Sequence, residues 1–307
     1  MDVARWLDDH LPDPDSDGGA ALGELTEGLL VELERVAADA VGLLDERVAG
    51  TPTLRLPKSR LAALGRCERS AVAVAEDASP SEVVSRPMLI GVAHDRFVIH
   101  QLHAGRVREP VEDLREMLLA EGEWALLDAL DQLEDADPDG ARAMLEPIAS
   151  TVATAWSGID PSWLPRTQSR ATLLLASGRV VSTGVVDVEL GGAGTGRPHV
   201  VVEVKSSEPG SDHLSEVAHY ALLLTVRDRA APAAVARWYP GTAPAVVPVN
   251  AGLLESAARR LADGIATWAE LMSGRAPVER PGPWCRWCPD ASVCPSAAAD
   301  REAVSTA

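Results

Sequence analysis

The sequence predicts an α/β protein: a mixed sheet core flanked by helices, with a helical N-terminal region before it and a C-terminal cysteine-bound metal site after it. Three observations carry this. Ala171–Ala176 and Arg179–Leu190 are apolar, β-branched runs separated by Ser177-Gly178, which reads as two strands around a tight turn. The run H-V-V-V-E-V-K at 199–205 reads as a third strand. Four cysteines, Cys67, Cys285, Cys288 and Cys294, bracket these strands.

Taken in order, residues 1–20 are acidic and rich in Pro, Asp and Gly, which predicts a mobile leader. Leu22, Leu25, Leu29, Leu33, Val36, Ala40 and Leu43 recur at helical spacing over 21–49, and Thr51-Pro52 ends that helix. Ser59 is the expected N-cap of a short helix running towards Cys67. Residues 86–165 read as helical, with a turn at Pro138-Asp139-Gly140 before a helix over 141–156. After the strand pair, the glycine-rich stretch 191–196 is a further turn. In the third strand Val201, Glu203 and Lys205 share one face, and Val200, Val202 and Val204 the other. A helix over 212–229, a strand over 233–239 and a helix over 250–273 precede the last cysteines. The expected division is 1–50 as leader and N-terminal helix, then 51–307 as one functional unit. Within that unit 51–168 carries the first cysteine and a helical lobe, 169–250 the sheet core, and 251–307 the last helix and remaining cysteines.

The 307 residues carry a net charge of −18 and are 46% hydrophobic. The acidity is local. Residues 1–50 contribute −10 (13 acidic, 3 basic) and 111–140 another −10 (11 acidic, 1 basic), so the rest is close to neutral. Both acidic segments read as solvated helix faces, which leaves room for a nucleic-acid groove elsewhere. No apolar stretch approaches a membrane span, and the N-terminus has no signal-peptide pattern, so a cytoplasmic protein is expected. In that compartment four cysteines point to metal rather than disulfides. Of 28 basic residues only Lys58 and Lys205 are lysine.

Asp187, closing G-V-V-D, and Glu203, on the next strand, can present two carboxylates to one hard cation, with the Val204 carbonyl as a further ligand. Hydrolysis of a phosphodiester near neutral pH needs an activated water and charge stabilisation, which bound Mg²⁺ or Mn²⁺ supplies. Lys205, two residues beyond Glu203 on the same face, can orient the water or offset developing charge. An isolated E-x-K is ordinarily a solvent-facing salt bridge. Here the strand is otherwise valine, and its charged face is expected to open into a cleft. Glu216 and Tyr220 share a face of the following helix at i, i+4.

These motifs resemble the PD-(D/E)XK nuclease superfamily, specifically its RecB-type branch with an iron–sulfur cluster, which includes the CRISPR-associated spacer-acquisition exonucleases. The resemblance spans roughly residues 55–295. It implies a restriction-endonuclease-like core, with Asp187, Glu203 and Lys205 as catalytic residues. Glu216 and Tyr220 fall on the family's Q-x-x-x-Y motif, with glutamate in place of glutamine, as candidates for substrate contact or active-site support. Ser59, Leu61 and Cys67 match its S-x-L…C segment. A metal-binding histidine on a helix ahead of the sheet is also implied; of His94, His100 and His103, the preferred candidate is His100, although Arg96 stands where the family has glycine.

The spacing C285-x₂-C288-x₅-C294 with a distant Cys67 suits a [4Fe–4S] cluster held by four thiolates. Zinc is the rival, although zinc ribbons generally use two C-x₂-C knuckles and this chain has one. Either metal would close a loop of more than 200 residues. The leading expectation is a Mg²⁺- or Mn²⁺-dependent deoxyribonuclease, an exonuclease on single-stranded DNA ends in repair, recombination or defence. No G-x-x-x-x-G-K-[ST] occurs, so any helicase would be a separate partner. The alternatives are a non-catalytic nucleic-acid-binding or scaffold subunit and a zinc-stabilised regulator.

Overall fold

The computed structural model describes residues 2–11, 18–76, 84–206, 209–210 and 212–298. Its centre is a six-stranded mixed sheet. The strands are β1 (Leu54–Pro57), β2 (Arg166–Leu175), β3 (Val180–Gly192), β4 (Arg197–Val204), β5 (Ala234–Trp238) and β6 (Ala245–Pro248). The order is β1-β3-β4-β5-β6, with β2 paired to β3. β3 runs parallel to β1 and antiparallel to β2 and β4. β5 is parallel to β4 and antiparallel to β6. The predicted hairpin is therefore present, longer at its first strand than the sequence indicated. β1 and β6, four residues each, were too short to carry a periodic signal.

Two helical layers cover the sheet. On one side lie α2 (Gly18–Arg47), α3 (Lys58–Arg66), α4 (Glu68–Glu76), α9 (Asp212–Asp228) and α10 (Ala251–Met272), packed over Val180, Val186, Val201 and Val235. On the other lie α1 (Val3–His10), α5 (Arg86–His103), α6 (Pro110–Glu121), α7 (Trp124–Ala136) and α8 (Pro138–Trp156), packed over Val188, Val200, Val202, Val204 and Trp238. The valines of β4 divide between the two cores as its period of two requires. The stripe expected on α2 lies on its core side but one position off in places: Leu33 and Ala40 are buried in the first core, Ala37 and Leu44 join them, and Val36 and Leu43 are half-buried beside it. That core continues without a break across residue 50.

Three local expectations are corrected. Residues 3–10 are not part of a mobile leader but form α1, capped by the Asp2 carboxylate, with Val3 and Leu7 fully buried; residues 12–17 lie outside the described residues. Ser59 is not an N-cap: α3 begins at Lys58, Pro57 holds the cap position, and Ser59 is exposed. Pro138-Asp139-Gly140 is the first turn of α8 rather than a separate turn. Asp137 accepts from the Gly140 N–H at 2.9 Å, and Pro at N1 costs the helix no hydrogen bond.

Candidate active site and cysteine cage

β3 and β4 place the predicted carboxylates together. Val188 pairs with Val202, and continuing that register sets Asp187 opposite Glu203. Asp187 Oδ2 accepts the Val204 N–H at 2.8 Å, so the side chain is fixed against the β4 backbone. The strand is irregular at this point. The β2–β3 pairing runs through Thr167↔Val188 and Ser169↔Val186 but skips Gln168 and Asp187, and Gln168 has φ 51°. Val186 belongs to the core under α9, whereas Val188 belongs to the core under α5. Residues two apart share a face in a regular strand, so the strand changes face around Asp187.

Glu203 is buried, 2% exposed. Its charged face does not open into a cleft, as the sequence suggested, but lies beneath α3 and α9. Lys205 Nζ donates to Glu203 Oε1 at 2.8 Å and to Glu216 Oε2 at 2.7 Å. Lys58, at the first position of α3, donates to the same Glu203 Oε1 at 2.6 Å and lies 3.6 Å from Glu216 Oε2. The only two lysines in the chain thus meet on one carboxylate oxygen. Tyr220 is buried beneath, with the Lys58 ammonium 4.8 Å from its ring centre. Gly184 allows this, because a Cβ there would come within 2.5 Å of the Tyr220 ring.

Asp95 completes the group and was missed in the sequence. It lies on α5 one turn after Gly91, at i, i+4 and so on the same face. A Cβ at Gly91 would lie 3.3 Å from Ser206 Oγ, so this face of α5 abuts the end of β4. Burial, then the Glu203 charge, raises the Asp95 carboxyl to about 6. Burial, then Glu203 and Asp95, pushes Asp187 well above its ordinary value. Burial also disfavours both ammoniums, but Glu203 and Glu216 outweigh it and hold Lys58 and Lys205 above the usual lysine value. For Glu216 burial is opposed chiefly by Lys205, and the net shift is downward. Burial and the Glu203 and Asp187 charges raise the Tyr220 phenol.

The preferred histidine, His100, is replaced in this group by Asp95. Five residues separate them, about 140° around the helix, and His100 falls in the last turn of α5. His94 is buried against Trp238, with its Nδ1 2.8 Å from the Ile90 carbonyl, and His103 contacts Thr167.

The donors present suit a hard cation in chemistry. Asp187, Glu203 and Asp95 supply carboxylate oxygens, and buried Glu203 Oε2 has no hydrogen-bond partner. In arrangement they are not yet a cage: among the described residues no three His, Cys, Asp or Glu side chains form a ready metal-binding group. At this centre both ammoniums occupy Glu203 Oε1.

The four cysteines line one small cavity, together with Arg69, Arg280 and Trp284. All four are free thiols, Cys67 and Cys294 buried, Cys285 and Cys288 half-buried. Cys67 Sγ accepts from the Arg280 N–H and Cys285 Sγ from the Gly282 N–H, each at 3.4 Å. Residues beside Cys67 tie the C-terminal segment down. Glu68 accepts from Arg275 and from the Val278 N–H, both at 2.9 Å. Arg69 reaches Glu279 at 2.8 Å and Asp290 at 3.1 Å. The expected junction of the first and last cysteines is therefore formed by the protein itself, although the thiols do not converge as a set of three. Trp284 donates to the Arg280 carbonyl at 2.9 Å, while Trp287 is exposed and stacked on Arg286.

No known protein family and no curated protein matches the chain. Among solved structures, the crystal structure of SSO0001 superposes with a TM-score of 0.37 at 14% identity, covering 86% of this chain and 96% of that chain. A likeness at that score carries no argument about chemistry. Among the described residues no helix is long and apolar enough to cross a membrane.

Proposed function

We propose that this protein is a metal-dependent DNA nuclease with a restriction-endonuclease-like core, acting as an exonuclease on single-stranded ends. The observation that carries this reading is the convergence of Asp187, at the irregular middle of β3, with Glu203 and Lys205, at the end of β4, in a buried site where four carboxylates face two ammoniums. Asp187, Glu203 and Asp95 are the residues that would hold Mg²⁺ or Mn²⁺, with the Val204 backbone beside them. The bound ion would supply an acidified water and stabilise charge on the phosphoryl oxygens. Lys205 holds its ammonium against Glu203 and can stabilise an anionic phosphate there. Tyr220 and Gly184 fix the floor beneath Glu203. Glu216 anchors Lys205 from α9 and so supports the active site rather than touching DNA. With no nucleotide-binding loop of its own, the protein would depend on a separate helicase for unwinding.

The cysteine cage supports a second assignment, a [4Fe–4S] cluster with Zn²⁺ as the alternative. Four thiols share one cavity, and two sulfurs already receive backbone N–H groups, an environment that suits thiolate ligands. Such a site belongs in a reducing compartment, in keeping with a cytoplasmic location. Its role is structural in this reading.

The test is anaerobic purification followed by Mg²⁺- and Mn²⁺-dependent cleavage of end-labelled single- and double-stranded DNA. Metal-dependent release of nucleotides from ends, lost in Lys205→Ala, is the expected result. DNA binding without cleavage would favour a non-catalytic subunit. A colourless protein with about one zinc per chain would replace the cluster with a Cys₄ zinc site.

A further inference from the structure

We propose that Lys58 is an internal counter-ion that a divalent cation must displace from Glu203, and that Glu216 is the carboxylate that receives it. This rests on the reading of the centre as a metal site. Lys58 Nζ lies 2.6 Å from Glu203 Oε1 and 3.6 Å from Glu216 Oε2, so a shift of about 1 Å exchanges one partner for the other. Glu203 is 3% exposed at its side chain, whereas Lys58 and Lys205 are 23% and 17% exposed. The lysine side chains therefore reach solvent where the carboxylate does not. An ion binding Glu203 brings two positive charges to a carboxylate whose Oε1 already holds two ammoniums, and an arrangement with all three close together is repulsive.

Lys205 is held by Glu216 at 2.7 Å as well as by Glu203. Lys58, at the start of a separate helix, has its shorter contact to Glu203 and its longer one to Glu216. It is thus the ammonium with somewhere to go. Lys58 Nζ also stays over the Tyr220 ring, 4.8 Å from its centre, which stabilises a cation along this path. Glu216 acquires a specific role: as an anion it can hold both ammoniums once Glu203 binds the ion, which a neutral amide at this position would do far less well. Lys58 remains protonated throughout; only its partner changes.

Mn²⁺ binding measured by titration without DNA tests this, with melting curves to show that each variant is folded. Lys58→Met and Lys58→Gln are expected to bind Mn²⁺ on the order of 10-fold tighter than wild type. Lys58→Arg, which keeps the charge, is expected to bind no tighter. Glu216→Gln is expected to bind several-fold more weakly, and that loss to shrink in the Lys58→Met background, where only Lys205 remains for Glu216 to hold. Binding that depends on Asp187 but is unchanged or weakened in folded Lys58→Met and Lys58→Gln would overturn this inference alone. Binding indifferent to Asp187→Ala would overturn the metal reading of the centre, and this inference with it.

Discussion

Asp187 and Glu189 stand two residues apart on β3, and their surroundings are opposite. Glu189 Oε2 receives Arg166 at 2.9 Å, His199 at 3.0 Å and Arg227 at 3.2 Å. Against the cost of burial, the His199 and Arg227 hydrogen bonds and the nearby arginine charges bring its carboxyl down to about 2. Asp187 receives one backbone N–H and faces two further carboxylates, and burial with those charges drives it up. A buried oxygen without a partner does not separate the two centres, since Glu189 Oε1 and Glu203 Oε2 both lack one. Charge balance does. Around Glu189 the protein supplies the cations itself, as a structural ion cluster requires. Around Asp187, Glu203, Asp95 and Glu216 it supplies two ammoniums, with the Arg96 charge acting on Asp95, for four carboxylates. A buried excess of negative charge is costly to keep unless something outside the chain neutralises it.

The largest effect expected from this contrast is on cleavage. Asp187→Asn, Glu203→Gln and Lys205→Ala should each lower metal-dependent cleavage of end-labelled DNA by about 10²-fold or more, with the melting temperature kept or raised in Asp187→Asn, whose carboxyl the fold already disfavours as an anion. Glu189→Gln should do the reverse. It should lose about 2 kcal/mol in denaturant unfolding, discounted for solvent at half-exposed Arg166, while folded protein cleaves at the wild-type rate. Equal behaviour of the two strand neighbours would remove the distinction.

The cysteine cavity offers a second comparison, because its lining includes none of the carboxylates around Asp187. Cys67→Ser should release bound metal, measured by iron and zinc analysis. It should also lower the melting temperature by more than Arg69→Ala, which removes only the ion pairs to Glu279 and Asp290. Retention of full metal content in Cys67→Ser would mean that the three C-terminal cysteines hold the group without it.

A smaller effect concerns pH. A carboxyl raised in the folded state costs stability above its folded value and regains it as pH falls towards the unfolded value. For Asp95 that window runs from about 6 down to an ordinary 3.8. Glu189 has the opposite sign: its contribution is present above its ordinary 4.5 and fades as pH falls towards 2. Metal-free Asp95→Asn should therefore be more stable than wild type at pH 7.5 by about 2 kcal/mol, and the gain should shrink towards pH 4. Denaturant titrations across this range read it directly; a gain that persists at pH 4 would place Asp95 away from Glu203 and Asp187.

Much of the sheet was legible because its strands are valine-rich and bounded by glycine turns. Asp187, Glu203 and Lys205 were legible from their steps along those strands, and Glu216 from its i, i+4 spacing to Tyr220 on the following helix. The four cysteines could be grouped by type and spacing alone. What escaped has a common physical basis. Asp95 enters the centre through the packing of α5 on the end of β4, which leaves no local pattern. Lys58 stood out only as one of two lysines; its place on Glu203 depends on β1, four residues that give no periodic signal. The first ten residues were obscured by their acidic, proline-containing sequel, although Val3 and Leu7 are a helical turn apart and both fully buried.

The central claim is that the carboxylates around Asp187, unlike Glu189, await a cation. Thermal unfolding with and without Mn²⁺, on wild type, Asp187→Asn and Glu189→Gln side by side, tests it most directly. Mn²⁺ should raise the melting temperature of wild type and of Glu189→Gln by the same increment and leave Asp187→Asn unmoved, since binding to the folded state alone stabilises it. An equal rise in Asp187→Asn, or a rise abolished only in Glu189→Gln, would contradict the account.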